Sequence, residues 1–404
     1  MLTYKYTATN PSSGEKVKGE LQAQNEQSVV KALTERGLAP LTIKSSEAQS
    51  GPLSKIKDRI RTKDKIVFYR QLATLINAGL PLSQSLRTVV EQTKNQKFQV
   101  ILNQLIIDIE SGIALGQGFR KHPEVFDTIV VSLVDAGEVS GTLDEALERI
   151  ANQTEKDAET AAKIKGAMVY PLIVLSVIVM VVVFMLTTVV PQIEQLYLDL
   201  NKDLPFITKI MVGTSDIITN FWWILLLGTL GGGYLLKRYA SSPSGKPFFD
   251  KFKMNVPLFG PMFMALYMSR FARTSGTLLK TGVSLLDSLR ITAKAINNTE
   301  IEKSLDRAAN KVKGGKALSE SIMGDINFLD LVPQMIKIGE QSGSLDAMLD
   351  KTADIYEKEL DDKVKNISTA IEPILMVLLA GIAGVLVGAI LLPVYGLIGQ
   401  GGGI

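Results

Sequence analysis

Residues 168–190 read MVYPLIVLSVIVMVVVFMLTTVV, without one charged side chain. As an α-helix, about 20 apolar residues cross the roughly 30 Å hydrocarbon core of a bilayer. A helix buried in a soluble protein is usually shorter and keeps polar positions at a regular period, so this run predicts a membrane span. Two more runs have the same character, IITNFWWILLLGTLGGGYLL at 217–236 and PILMVLLAGIAGVLVGAILLPVYGLI at 373–398. The chain therefore reads as a mainly α integral membrane protein with three transmembrane helices, at 168–190, 217–236 and 372–398. These segments account for a positive mean hydropathy of +0.19 in a chain whose hydrophobic fraction, 46%, is ordinary.

Lys and Arg beside the spans set the expected orientation, because basic residues stay on the cytoplasmic side. Lys163 and Lys165 precede the first span. Lys237, Arg238, Lys246, Lys251 and Lys253 follow the second, and Lys363 and Lys365 precede the third. The 191–216 loop holds Lys202 and Lys209 against Glu194, Asp199, Asp203 and Asp216. The expectation is a cytoplasmic N-terminus, a cytoplasmic 237–371 segment, an external 191–216 loop and an external tail at 399–404. MLTYKYTATN at the start has no apolar core of a signal peptide, so insertion is expected through the internal segments.

The soluble parts contain one unit twice. FYRQLATLINAGLPLSQSLR from Phe68 matches FARTSGTLLKTGVSLLDSLR from Phe271, and AGEVSGTLDEAL around Glu138 matches IGEQSGSLDAML around Glu340. Tyr170-Pro171 aligns with Glu372-Pro373 where each copy meets the membrane. Phe68, Leu72, Leu75 and Ile76 share one helical face, as do Ile101, Leu102, Leu105, Ile106 and Ile109. Gly79, Gly282, Gly137 and Gly339 are expected at helix C-termini. Thr142 with Glu145 is expected to form a capping box. Each copy, 64–167 and 267–371, thus reads as a cytoplasmic bundle of five or six short helices whose last helix enters a span, with a connector at 237–266. The first 47 residues alternate as a hairpin across PSSG, then show an amphipathic helix ending at Gly37 and a third strand. They form a small α/β element joined by a linker at 48–63.

Chemistry is harder to find. With no cysteine, disulfides and thiolate sites are excluded, and His122 is the sole histidine. A Walker loop needs G-x-x-x-x-G-K-[ST]. Gly245-Lys246-Pro247 and Gly314-Gly315-Lys316-Ala317 lack its upstream glycine and its hydroxyl residue. Ser140 and Ser342 sit one place off a nucleophile elbow and read as turn residues. A net charge of +3 is no nucleic-acid footprint. Apart from Glu372 at the cytoplasmic edge of the third, no ionisable residue stands inside the spans, where a transporter would keep one, and the external loop is too short for a receptor domain. A membrane transporter or receptor component is therefore the alternative reading, and an enzyme is not expected. Glu138, Asp144 and Glu145 are candidates for holding a cation through carboxylate oxygens. The charged residues shared by the copies, Arg70 with Arg273, Arg87 with Arg290 and Glu138 with Glu340, are candidates for a partner interface. Gly228 and Gly232 on the second span, and Ala380, Gly384 and Gly388 on the third, form small-residue stripes suited to helix packing. Trp222 and Trp223 suit an interfacial aromatic anchor.

The repeated F-x-R and S-L-R segments, the G-E-x-S-G-x-L-D turn, the Tyr-Pro and Glu-Pro pairs, and Tyr6, Ala8, Gly14, Gly19 and Gly37 resemble the inner-membrane platform proteins of type IV pilus and type II secretion machines, the PilC/GspF family. The second copy departs from the first at Thr274-Ser275 and Lys280-Thr281. The resemblance implies a homo-oligomer, dimer or trimer, in the inner membrane. It also implies cytoplasmic domains that dock on a hexameric assembly ATPase, contact with pilin or pseudopilin transmembrane helices and other machine subunits, and no cofactor.

Overall fold

The computed structural model describes residues 2–9, 16–23, 26–35, 39–45, 59–199 and 206–401. Gly14, Gly37, most of the expected linker and the last three residues lie outside them. Strands β1 (Leu2–Thr9), β2 (Lys16–Ala23) and β3 (Ala39–Ser45) form an antiparallel sheet in the order β2-β1-β3. Helix α1 (Glu26–Glu35) covers it through fully buried Val29 and Leu33. Tyr6 pairs with Gly19 across the hairpin, and a Cβ at Gly19 would stand 2.7 Å from the Tyr6 hydroxyl. Glycine there leaves the ring its place. On the other side the register slips between Thr7 and Ala8, where β3 bulges beside Pro40, a residue tolerated on an edge strand.

The first helical domain comprises α2 (Thr62–Asn77), α3 (Leu82–Gln92), α4 (Gln96–Glu110), α5 (Leu115–Arg120) and α6 (Thr128–Ser140). Helix α7 (Leu143–Phe184) then runs for 42 residues from that domain into the first span. After a π-helical turn at Met185–Val189 come α8 (Val190–Asp199), α9 (Phe206–Ala240) and α10 (Gly245–Asn255). The second domain repeats the plan with α11 (Gly260–Lys280), α12 (Leu285–Ile296), α13 (Thr299–Lys313), α14 (Leu318–Ile322) and α15 (Leu331–Ser342). Helix α16 (Leu345–Gly401) closes it and continues for 57 residues through the third span.

Helical period decides both cores. Phe68 from α2, Phe98 and Leu102 from α4, Phe119 from α5 and Leu133 from α6 are buried together, with Phe119 stacked 3.9 Å from Phe126. In the second core Phe271 meets Phe328 edge-on at 5.5 Å, and Ala308 and Ala309 stand where the first has Leu105 and Ile106. Asn95 and Asn298 cap α4 and α13, each side-chain oxygen accepting an amide of the first turn.

Three helices are long and apolar enough to cross a membrane, within Leu143–Asp199, Thr208–Ala240 and Leu345–Gly388. The segment 191–216 is not a loop throughout. Val190, Ile193 and Tyr197 keep a helical period and are buried, so α8 carries on past the first span, and α9 begins at Phe206. The π turn has a local cause. Val190 N–H donates to Met185 O, five residues back, and the next residue, Pro191, has no N–H to give. Leu186 O would be orphaned, and the buried Ser215 hydroxyl of α9 donates to it at 2.5 Å. Leu186, Val190, Met211, Val212 and Leu386 form a small core around this bond, where all three membrane helices meet.

Candidate functional site

The G-E-x-S-G-x-L-D segment folds alike in both copies. Glu138 on α6 accepts the Leu115 amide at 2.6 Å and the Gly116 amide at 2.9 Å, so its charge sits at the positive N-terminus of α5. Glu340 does the same for Leu318 at 2.6 Å and Ser319 at 3.3 Å, with the Ser319 hydroxyl added at 2.5 Å. Gly137 and Gly339 are not C-caps. They lie inside α6 and α15, where a Cβ would come within 2.7 Å of Ala146 Cβ and 2.8 Å of Leu345 Cα, so they allow adjoining helices to touch. The residues that end the helices are Gly141 and Gly343, at φ 74° and 70°. The capping box does not form either. The Thr142 hydroxyl pairs with Ser140 at 2.7 Å, while Glu145 pairs with Arg149 at 3.1 Å. Ser140 and Ser342 also bond carbonyls one turn back, at 2.8 Å each, as turn residues do.

The cation candidates are corrected by the same geometry. Both oxygens of Glu138 are taken by amides and Glu145 holds Arg149, so these carboxylates and Asp144 do not converge. Among the described residues no group of three His, Asp or Glu side chains could hold a metal ion. His122 follows α5, 3.8 Å from Glu124.

The arginine candidates divide in two. Arg70 pairs with Glu155 and Asn152, and its counterpart Arg273 pairs with Asp354 and Glu357, so each ties the first helix of its bundle to the last. Burial alone would pull the Arg273 guanidinium down, but its bonds to Asp354 and Glu357 outweigh that and hold it above the ordinary arginine range. Arg87 pairs with Glu110. In the second copy Lys313 stands at that place, and Arg290 is left exposed with no ion pair among the described residues. Five of the six candidates thus have partners within their own domain.

What it does bring together is the two domains. Leu278 of α11 is fully buried in the first domain's core, with Val283 and Ile291 packed beside it. Ile164 and Ala167 of α7 pack in turn against the second core. Along this seam α7 and α16 lie side by side. Lys156 reaches Glu357 at 3.3 Å, and Lys163 reaches Asp361 at 2.7 Å. The bond to Asp361 pushes the Lys163 ammonium above its usual range. Burial in the seam pushes the Asp157 carboxyl up, against the opposing charge of Arg270. A polar cleft of about 540 Å³ opens beside it, lined by Arg149, Lys156, Arg273, Lys280 and Asp350. No sequence pattern marked this seam, because its residues are spaced as ordinary exposed helix positions.

In the membrane part the small residues do not pack within one chain. Positions beside Gly228, Gly232, Gly384 and Gly388 are open, with no atom within 4 Å of a built Cβ, and Ala380 is exposed. Trp222 and Trp223 are exposed beside the kink at Phe221.

The repeat, the spans and the N-terminal sheet agree with what comparison with known proteins finds. Residues 68–191 and 271–393 each match the family model of type II secretion system protein F, and residues 1–44 match that family's N-terminal domain. A type IV pilus assembly protein PilC of Thermus thermophilus is 35% identical over 99% of both chains. One of Myxococcus xanthus is 34% identical over 96% of this chain and 93% of its own. A type II secretion system protein F of Pseudomonas aeruginosa is 32% identical over 98% and 99%. A membrane chain with this repeat, matched over nearly its whole length, belongs to the type II secretion system protein F family, which includes the PilC proteins of type IV pili.

Proposed function

We propose that this chain is the inner-membrane platform of a type IV pilus or type II secretion machine, transmitting the work of a cytoplasmic assembly ATPase to pilin or pseudopilin subunits in the bilayer. The observation that carries this reading is the continuity of α7 and α16. Each is one helix from the core of a cytoplasmic domain into a membrane span, so a rotation of the domains reaches the bilayer without a flexible joint. The seam joining the domains favours their moving together. The basic flanks support cytoplasmic domains and an external C-terminus. Arg290 and Lys313, which face solvent, suit an acidic surface on a partner. The open glycine stripes suit helices of a second copy or of a pilin. Names of the relatives favour filament assembly over solute transport.

The test is an insertion of Gly-Ser-Gly-Gly between Lys165 and Gly166, which keeps the first domain's core and the span, breaks their mechanical continuity and gives up the Ala167 contact with the second core. Membrane insertion and protein level should be unchanged, while filament assembly or secretion in the native host is lost. Assembly at the parental level would reject force transmission through α7.

A further inference from the structure

Helix α10, GKPFFDKFKMN, lies between the second span and the second domain and has no counterpart in the repeat. One of its faces belongs to the domain. Asp250, nearly fully buried, accepts the Thr299 amide at 3.1 Å and the Thr299 hydroxyl at 2.8 Å at the start of α13. Lys246 donates to Asn297 at 2.8 Å, and Met254 packs against the second core. The other face touches nothing comparable. Phe248 and Phe252, one turn apart, are 64% and 58% exposed, with their rings stacked at 6.5 Å. Lys251 is exposed between them, without an ion pair among the described residues. The turn leaving α10 adds Leu258, exposed and held at φ 76°, a conformation that ordinary residues rarely adopt.

The position of this face follows from the chain. The last turn of α9 carries Lys237 and Arg238 at the end of the span, and α10 starts five residues after Ala240. The turn between them is tight, with Ser242 N–H donating to Tyr239 O at 3.0 Å and Lys246 N–H to Ser242 O at 2.9 Å. Phe249 packs edge-on against Tyr239 at 6.3 Å. Helix α10 is thereby held beside the end of the second span. Exposed aromatic rings rimmed by lysines, at that place, are what an interfacial helix presents to acyl chains and headgroups. Two rings are also far short of the ~1,200–2,000 Å² that a stable protein interface buries.

We propose that α10 is an interfacial helix. Phe248 and Phe252 sit below the headgroups of the adjoining leaflet. Lys251, with Lys237 and Arg238 behind it, binds anionic lipid, while Lys253 pairs with the buried Asp250 at 3.5 Å. The buried Asp250 then fixes the second domain to that surface, so this domain meets the membrane at two points, α10 and α16.

A single tryptophan reports on this. The chain has only Trp222 and Trp223, so Trp222→Phe and Trp223→Phe with Phe252→Trp leaves one fluorophore in the full-length protein. The reconstituted chain is compared in nanodiscs of phosphatidylcholine, of phosphatidylcholine with one-third phosphatidylglycerol, and of both with brominated acyl chains. The expected result is blue-shifted emission that brominated lipid quenches by about half or more, with stronger quenching when anionic lipid is present. Lys251→Gln should reduce the anionic increment and keep the rest. Emission of a water-exposed indole, unquenched in every lipid, would overturn the proposal, as would blue-shifted emission that brominated lipid leaves unquenched, which would mark a protein partner. Quenching indifferent to phosphatidylglycerol would overturn the headgroup role of the lysines. Nanodiscs carry the same lipid on both faces, so the outcome does not depend on the orientation proposed above.

Discussion

Glu138 places its carboxylate on two backbone amides that would otherwise open α5 unpaired, and Glu340 repeats the arrangement on α14. Removing the acceptor from a half-buried helix start leaves donors unsatisfied, at a cost of about 1–3 kcal/mol. Glu138→Ala should lower the melting temperature of the detergent-solubilised protein accordingly, and Glu138→Gln, which keeps one acceptor, should lower it less. Val139→Ala beside it, at a fully exposed position, should leave it unchanged. Asp157 behaves in the opposite sense. Its carboxyl is raised by burial, so its contribution to stability is full below the unfolded carboxyl range and lost as pH rises through the folded value. Asp157→Asn removes that loss. The variant should melt at or above the parent at pH 7, and its advantage should shrink toward pH ~4, where an unfolded aspartate takes up its proton. A deficit at pH 7 would mean that the attraction of Arg270 outweighs the burial.

At the scale of elements, the π turn at Met185–Val189 and the hydrogen bond from Ser215 are one device. Pro191 withholds the amide that Leu186 O needs, and a hydroxyl from the neighbouring helix supplies a donor instead. Interhelical bonds of this kind in membranes are worth about 0.6 kcal/mol on average and up to ~1.7. Ser215→Ala should destabilise the chain in nanodiscs by that order. Pro191→Ala restores an amide, so in its presence Ser215→Ala should cost much less. A double-mutant cycle on thermal unfolding reads the coupling, and strict additivity would separate the two features.

For the whole molecule, the two domains form one body through side chains that each lends to the other's core. Leu278 belongs in sequence to the second repeat but is buried in the first. Leu278→Ala should cost about 2–5 kcal/mol, as for other buried leucines. Hydrogen exchange should rise in α2–α6 as well as in α11. An effect confined to α11 would show that the domains are stabilised separately. The ion pairs of Lys156 and Lys163 are half exposed and are expected to contribute ~0–1 kcal/mol each, so the apolar exchange dominates the seam.

Much of this was legible in the amino-acid order alone. Length and apolarity gave the three spans, because a bilayer accepts few other solutions for the backbone. The repeated motif gave two similar bundles, and alternation gave the N-terminal hairpin. Gly137 was expected at the helix end where Gly141 stands, since a glycine that admits a neighbouring helix and one that adopts positive φ look alike until the neighbour is in place. Glu138 read as a candidate for a cation or a partner for the same reason, as the groups it binds are amides more than 20 residues away. Local rules of period, propensity and burial in lipid determined which segments are helices and which of them cross the membrane. Only the tertiary structure decided which faces those helices share, because long-range contact depends on where distant residues meet in space and leaves no period in the chain.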